Sequence, residues 1–266
     1  MVCGPMAIRV SPSRTVGLLA AVTGAAIACG GCEMASLPDQ GGIHPASLAF
    51  SVQPEYATAG FPLEPGVSVT VIESNGDTAY ESTASIGLSI ASGTGTPGAH
   101  LGGVTQVAAV NGTANFPQVT IDSAGTGYRL LAVATALGGA ASDTFDVTAG
   151  VPTRLAFLRQ PSGTPAGDTI SPAVQVVVQD VLGNIVLVAS DSIALAIAAN
   201  PGAASLGGTA VRRADAGVAT FPGLSISAAG VGYTLAATAR GFAADTSAPF
   251  TITAVIPPQP GVQPRH

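Results

Sequence analysis

The chain has 266 residues and a formal charge of −6, with no lysine; arginine supplies all nine basic residues. Mean hydropathy is positive and charged residues make up only 9 %, which excludes the polar, highly charged class of disordered chains. The longest basic cluster is the pair Arg212-Arg213, so no nucleic-acid surface is expected.

The first elements form a leader. Arg9 and Arg14 make a positive segment, and Val16 to Ala28 is an uncharged apolar run of the length of a signal-peptide core. It falls short of the about 20 apolar residues that a confident membrane span needs. Met6 offers a second possible start. The run ends Ala26-Ile27-Ala28-Cys29-Gly30, which resembles a bacterial lipobox, although Ala26 stands where Leu is usual. The resemblance implies lipidation of Cys29. Two other readings stay open: a plain signal peptide cut at an Ala-x-Ala-like site, and a Cys29-x-x-Cys32 metal or redox pair. All three cysteines, Cys3, Cys29 and Cys32, lie in this region, so the body must hold together by packing alone.

The expected divisions are a signal peptide over 1–28, a lipid-proximal tether over 29–43, sandwich domains over 44–149 and 150–254, and a Pro-rich tail over 255–266. The tether carries Pro38 and Gly41-Gly42, which suit a flexible spacer.

From His44 the chain repeats itself. Leu48-Ala49-Phe50 returns as Leu155-Ala156-Phe157, Gln53-Pro54 as Gln160-Pro161, and Phe116-Pro117 as Phe221-Pro222. From Leu101/Leu206 to Ala149/Ala254 the copies align without a gap, about two positions in five being identical. Val67, Val69 and Val71 alternate with Ser68, Thr70 and Ile72. Val174, Val176 and Val178 alternate likewise with Gln175, Val177 and Gln179. Period two predicts strands with one face on a core and the other toward solvent. Asn75-Gly76-Asp77, Asn111-Gly112 and Gly183-Asn184 supply turns between such runs. About seven strands per copy are expected. The Thr148–Thr153 junction, stiffened by Pro152, should leave little hinge freedom.

One stretch anchors each copy: Ala124-Gly125-Thr126-Gly127-Tyr128 in the first and Ala229-Gly230-Val231-Gly232-Tyr233 in the second. They resemble the tyrosine corner of immunoglobulin-like sandwiches, so Tyr128 and Tyr233 are expected to bond back to nearby backbone. With the Val-x-Val-x-Val strand, Gln179-Asp180-Val181-Leu182-Gly183-Asn184 and Gly217-Val218-Ala219-Thr220-Phe221, the body resembles the tandem immunoglobulin-like domains of invasin- and intimin-like surface proteins. The fold class expected is therefore all-β: two tandem immunoglobulin-like β-sandwich domains after an N-terminal signal segment. The resemblance implies an envelope role as spacer, stalk or adhesion module, and it carries over no binding residue.

Little chemistry accompanies this pattern. His44, His100 and His266 show neither nucleophile motif nor metal-ligand spacing. Calcium requires several oxygens in one short loop, and Asp143, Asp146 and Asp168 supply no such loop. Neither a catalytic residue nor a cofactor or metal is implied. The expected function is a non-enzymatic, lipid-anchored surface protein on a bacterial outer membrane or cell surface, otherwise secreted. Its partners are the membrane, through the lipid, and an unidentified protein or glycan. The alternative is a carbohydrate- or protein-binding accessory module of a secreted system, which Tyr56, Tyr80, Tyr128 and Tyr233, with no Trp, equip poorly for sugar stacking.

Overall fold

The computed structural model describes residues 42–255, and Ile43 onward forms one compact unit. The leader, Cys29 and the Pro-rich tail lie outside the described residues. All regular structure among the described residues is β, and every strand pairs within its own copy of the repeat.

In each copy one short sheet faces a longer one. In the first, the Val67–Glu73 strand lies between Pro45–Val52 and Thr113–Phe116, all antiparallel. The second repeats this with Val174–Gln179 between Arg154–Arg159 and Val218–Phe221. The facing sheet of the second copy runs Thr164–Pro165, Phe250–Thr253, Gly230–Thr238, Ser192–Ala199, Val211–Arg213. In the first copy the counterpart of Gly230–Thr238 is interrupted at Arg129 into Gly125–Tyr128 and Leu130–Ala134. The first chain segment of each copy changes sheets. After pairing in the short sheet it joins the long one, where Tyr56–Thr58 runs parallel to Asp146–Thr148, and Thr164–Pro165 parallel to Ile252–Thr253. Two facing sheets whose first strand is shared in this way are immunoglobulin-like sandwiches.

Each sandwich has its own core. Val67, Val69, Val71, Ile86, Phe116 and Leu130 are buried in the first, and Val174, Val176, Val178, Ile193, Phe221 and Leu235 in the second. The alternation was expected to leave Thr70 and Val177 facing solvent, but both are buried. Each lies on the middle strand of its sheet, flanked on both sides. Thr70 Oγ1 donates to Ser51 Oγ at 2.9 Å and lies 3.2 Å from Thr113 Oγ1, while Val177 has Ala156 and Val218 opposite it in register. Neighbouring side chains therefore cover the outer face at these points.

Tyr128 and Tyr233 are fully buried, and a buried hydroxyl requires a partner. Tyr128 Oη donates to the Ser123 carbonyl at 2.8 Å, and Tyr233 Oη donates to the Ala228 carbonyl at 2.8 Å. Phe145 and Phe250 pack against the two rings at centroid distances of 6.0 and 6.1 Å. Gly95 makes room for the first ring: a Cβ there would run into the Tyr128 ring atoms. Replacing either tyrosine by Phe keeps the ring and orphans the carbonyl. We expect Tyr128→Phe and Tyr233→Phe each to destabilise their own sandwich by about 0.5–1.5 kcal/mol in urea titration. Wild-type midpoints in both variants would show that the hydroxyl bonds contribute nothing.

Candidate functional site

The most elaborate polar cluster sits where the sandwiches meet. It begins at the end of Val174–Gln179, where the chain turns through Asp180–Asn184 with Gly183 at φ +95°. Asp180 is 1 % exposed. Its Oδ1 accepts the backbone N–H groups of Leu182 (2.9 Å) and Asn184 (2.8 Å), which fixes the turn. Its Oδ2 accepts the Asn184 side-chain amide and the N–H of Gly150 in the linker, both at 2.9 Å.

Asn184 carries the contact across to the first sandwich. Its Oδ1 accepts the Ala124 N–H at 2.9 Å, and its Nδ2 donates to the Asp122 carbonyl at 3.0 Å. Asp122 and Ala124 belong to the loop that the Tyr128 hydroxyl holds at Ser123. Beside this polar bridge Leu182 lies over Gly60, where a Cβ would come within 2.8 Å of Leu182 Cδ1. The turn thus latches onto the first sandwich by two hydrogen bonds and one apolar contact, while Asp180 ties down the linker.

Two carboxylates are shifted here, both downward. Burial raises the Asp180 carboxyl, but the Asn184 amide and the N–H groups of Gly150, Asn184 and Leu182 together hold it below the ordinary 3.8. Burial likewise raises Asp122, outweighed by the His100 N–H, the Ser123 hydroxyl and the charge interaction with His100. Carboxylates saturated with donors and kept ionised serve as anchors, which is the opposite of the raised value a general acid needs.

Around the latch the surface is apolar. One cleft of about 460 Å3 is lined by residues including Val147, Ile185 and Leu187, and another of about 530 Å3 by Tyr56, Phe61, Pro62 and Pro152. Val186 and Val188 line both. Val188 is 90 % exposed and Val151 75 %, and Tyr56, Phe61 and Leu187 are also exposed. The corresponding stretch of the first sandwich, Thr78 to Glu81, carries Tyr80 and Glu81 in place of Leu187 and Val188.

Of the residues singled out in the sequence, Tyr128 lies directly beneath the junction and Tyr233 in the equivalent corner of the second sandwich. Asp146 Oδ1 accepts the Gly127 N–H at 2.8 Å. Asp168 follows Gly167, the counterpart of Gly60, and its N–H donates to the Pro165 carbonyl at 3.1 Å. Among the described residues no group of three or more His, Cys, Asp or Glu is placed to hold a metal ion. Sequence reasoning treated Gly183-Asn184 as a local turn and missed Asp180 and Asn184 as the junction. The available signal was the contrast between Val181-Leu182 and the aligned Ser74-Asn75.

No family model matches the chain, and no curated protein does. Among solved structures, the Escherichia coli adhesin FdeC is 18 % identical with a TM-score of 0.36, covering 80 % of this chain and 66 % of that one. The Yersinia pseudotuberculosis adhesin InvE is 15 % identical with a TM-score of 0.33, covering 81 % and 61 %. Domains 5-6 of the S-layer protein SbsC are 15 % identical with a TM-score of 0.30, covering 80 % and 100 %. This chain thus spans just under two thirds of each adhesin chain. Strand order, corner and junction in the chain itself define a tandem immunoglobulin-like sandwich protein.

The latch makes stability depend on pH. The folded value of Asp180 is depressed, so its contribution is present above the ordinary value and is lost as pH falls through the folded one. Asp180→Asn should cost about 1–3 kcal/mol near neutrality. Its urea midpoint should converge on that of the wild type as pH drops below about 3.8. Asn184→Ala should free the Ala124 amide to exchange faster while the core amides stay protected. Unchanged Ala124 exchange would show that the latch is not closed in solution.

Proposed function

We propose that this is a non-enzymatic, exported surface protein, lipid-anchored through Cys29, whose two sandwiches act as a stiff spacer or adhesion module. The observation that carries the spacer reading is the latch. The Ala149–Thr153 linker is short, its Gly150 N–H is held by Asp180, and Asn184 bonds the preceding sandwich at two backbone groups. Relative motion is the default between domains joined in one chain, whereas this junction is tied at the linker and at the preceding sandwich. The anchor reading is supported by the apolar run behind Arg9 and Arg14 that ends at Ala28-Cys29. The alternative, an accessory binding module, draws on the exposed Leu187, Val188 and Val151 at the junction. Such aliphatic surface suits a protein partner better than a sugar ring.

A diacylated cysteine would supply the two chains that stable anchoring needs, each buried CH2 contributing about 0.8 kcal/mol. Cys29→Ala should lose fatty-acid labelling and leave the membrane fraction, while Cys32→Ala should fractionate as wild type. If Cys29→Ala remains labelled and membrane-bound, the anchor lies elsewhere.

A further inference from the structure

The surface that receives the latch occurs twice in the chain, and among the described residues only one copy is covered. In the first sandwich it comprises Gly60, the Asp122 carbonyl, the Ala124 amide and the Gly150 amide. The repeat places Gly167, Ser227, Ala229 and Val255 in the same positions at the far end of the second. The supporting bonds coincide. Gly60 N donates to the Ile121 carbonyl and Gly167 N to the Ile226 carbonyl, both at 2.8 Å, with φ of +80° and +84°. Ala59 N bonds the Thr148 carbonyl at 2.8 Å, and Ala166 N the Thr253 carbonyl at 2.9 Å. The Tyr233 hydroxyl holds Ala228 as Tyr128 holds Ser123, so Ser227–Ala229 is fixed from beneath at the same point as Asp122–Ala124.

What differs is the covering. Asp122 and Ala124 are half-buried beneath Asn184, whereas Ser227 and Ala229 are exposed. A Cβ on Gly60 meets Leu182 of the docked turn; a Cβ on Gly167 meets nothing within 4 Å. We propose that this far face is a docking surface for a β-sandwich domain presenting an Asp-x-x-Gly-Asn turn, entering end-on as the second sandwich enters on the first. The partner's amide would accept from Ala229 N–H and donate to the Ser227 carbonyl, with its apolar turn residue over Gly167. This goes beyond the spacer reading and stands whether or not Cys29 is lipidated.

The chemistry also says which turn does not fit. The first sandwich of a second copy offers Glu73-Ser74-Asn75-Gly76-Asp77, with Asp77 aligned to Asn184. An ionised carboxylate has no proton to give the Ser227 carbonyl. Asn75 and Asp77 already bond each other, Nδ2 to Oδ2 at 2.8 Å and Asp77 N to Asn75 Oδ1 at 3.0 Å. Asp168 in place of Phe61 and Gly163 in place of Tyr56 make the far face more polar than the first, so the contact rests chiefly on the amide bridge.

The test extends the full chain: residues 1–254 followed by a second copy of residues 150–255, so that Ala254 leads into Gly150 as Ala149 does. The readout is backbone amide exchange. In the extended chain Ala229 should exchange at least ~10-fold more slowly than in the parent, approaching Ala124, the protection of one amide hydrogen bond. Asn184→Asp in the appended copy alone should abolish that protection while leaving the appended core amides protected. Ala229 exchanging at its parental rate beside a folded appended sandwich would overturn the proposal. So would protection that survives Asn184→Asp.

Discussion

A phenol that is wholly buried must find an acceptor, and in this chain that requirement shapes both the interior and the exterior. Tyr128 fills the first core with its ring and donates its hydroxyl outward to the Ser123 carbonyl, so the loop above is tied to the sheet below. The same loop presents the Asp122 carbonyl and the Ala124 amide to Asn184. The junction therefore grips a surface whose shape is set from beneath by the core. With no cysteine among the described residues, this coupling of packing to loop geometry does the work that a staple does in smaller domains.

The two copies show how one scaffold is adapted to two positions. The turn after the central strand is Glu73–Asp77 in the first sandwich and Asp180–Asn184 in the second. Both keep the glycine that turns the chain, Gly76 at φ +94° and Gly183 at +95°. Around that fixed glycine the side chains diverge. In the first, Asn75 and Asp77 satisfy each other; in the second, Asp180 satisfies the turn and Asn184 is left to reach another domain. Shortening glutamate to aspartate matters here, because the Asp180 carboxylate reaches its own turn amides and the linker amide at once.

Much of the fold was legible because its causes are local. Alternating valines mark strands, and the repeated Gly-x-Gly-Tyr marks a corner whatever surrounds it. Asn111-Gly112 turns with both residues at positive φ, and Ala216-Gly217 does the same although alanine has no preference for it. The fold imposes that turn on the second copy. The junction was less legible because its partners are distant: Asn184 and Ala124 are brought together only after both sandwiches have formed. The burial of Thr70 and Val177 was hidden for a similar reason. Strand periodicity says which way a side chain points, but whether neighbours cover it depends on the strand's place in the sheet.

The parallel pairing of Tyr56–Thr58 with Asp146–Thr148, repeated by Thr164–Pro165 with Ile252–Thr253, has a mechanical meaning. In each sandwich the second strand segment and the last strand lie side by side and point the same way. Tension between the two ends of a sandwich therefore slides these strands along each other. Their hydrogen bonds are loaded together in shear, where an antiparallel pair pulled from one end would open bond by bond. The same arrangement that hands the first strand from one sheet to the other thus places a clamp on the line of pull in each sandwich.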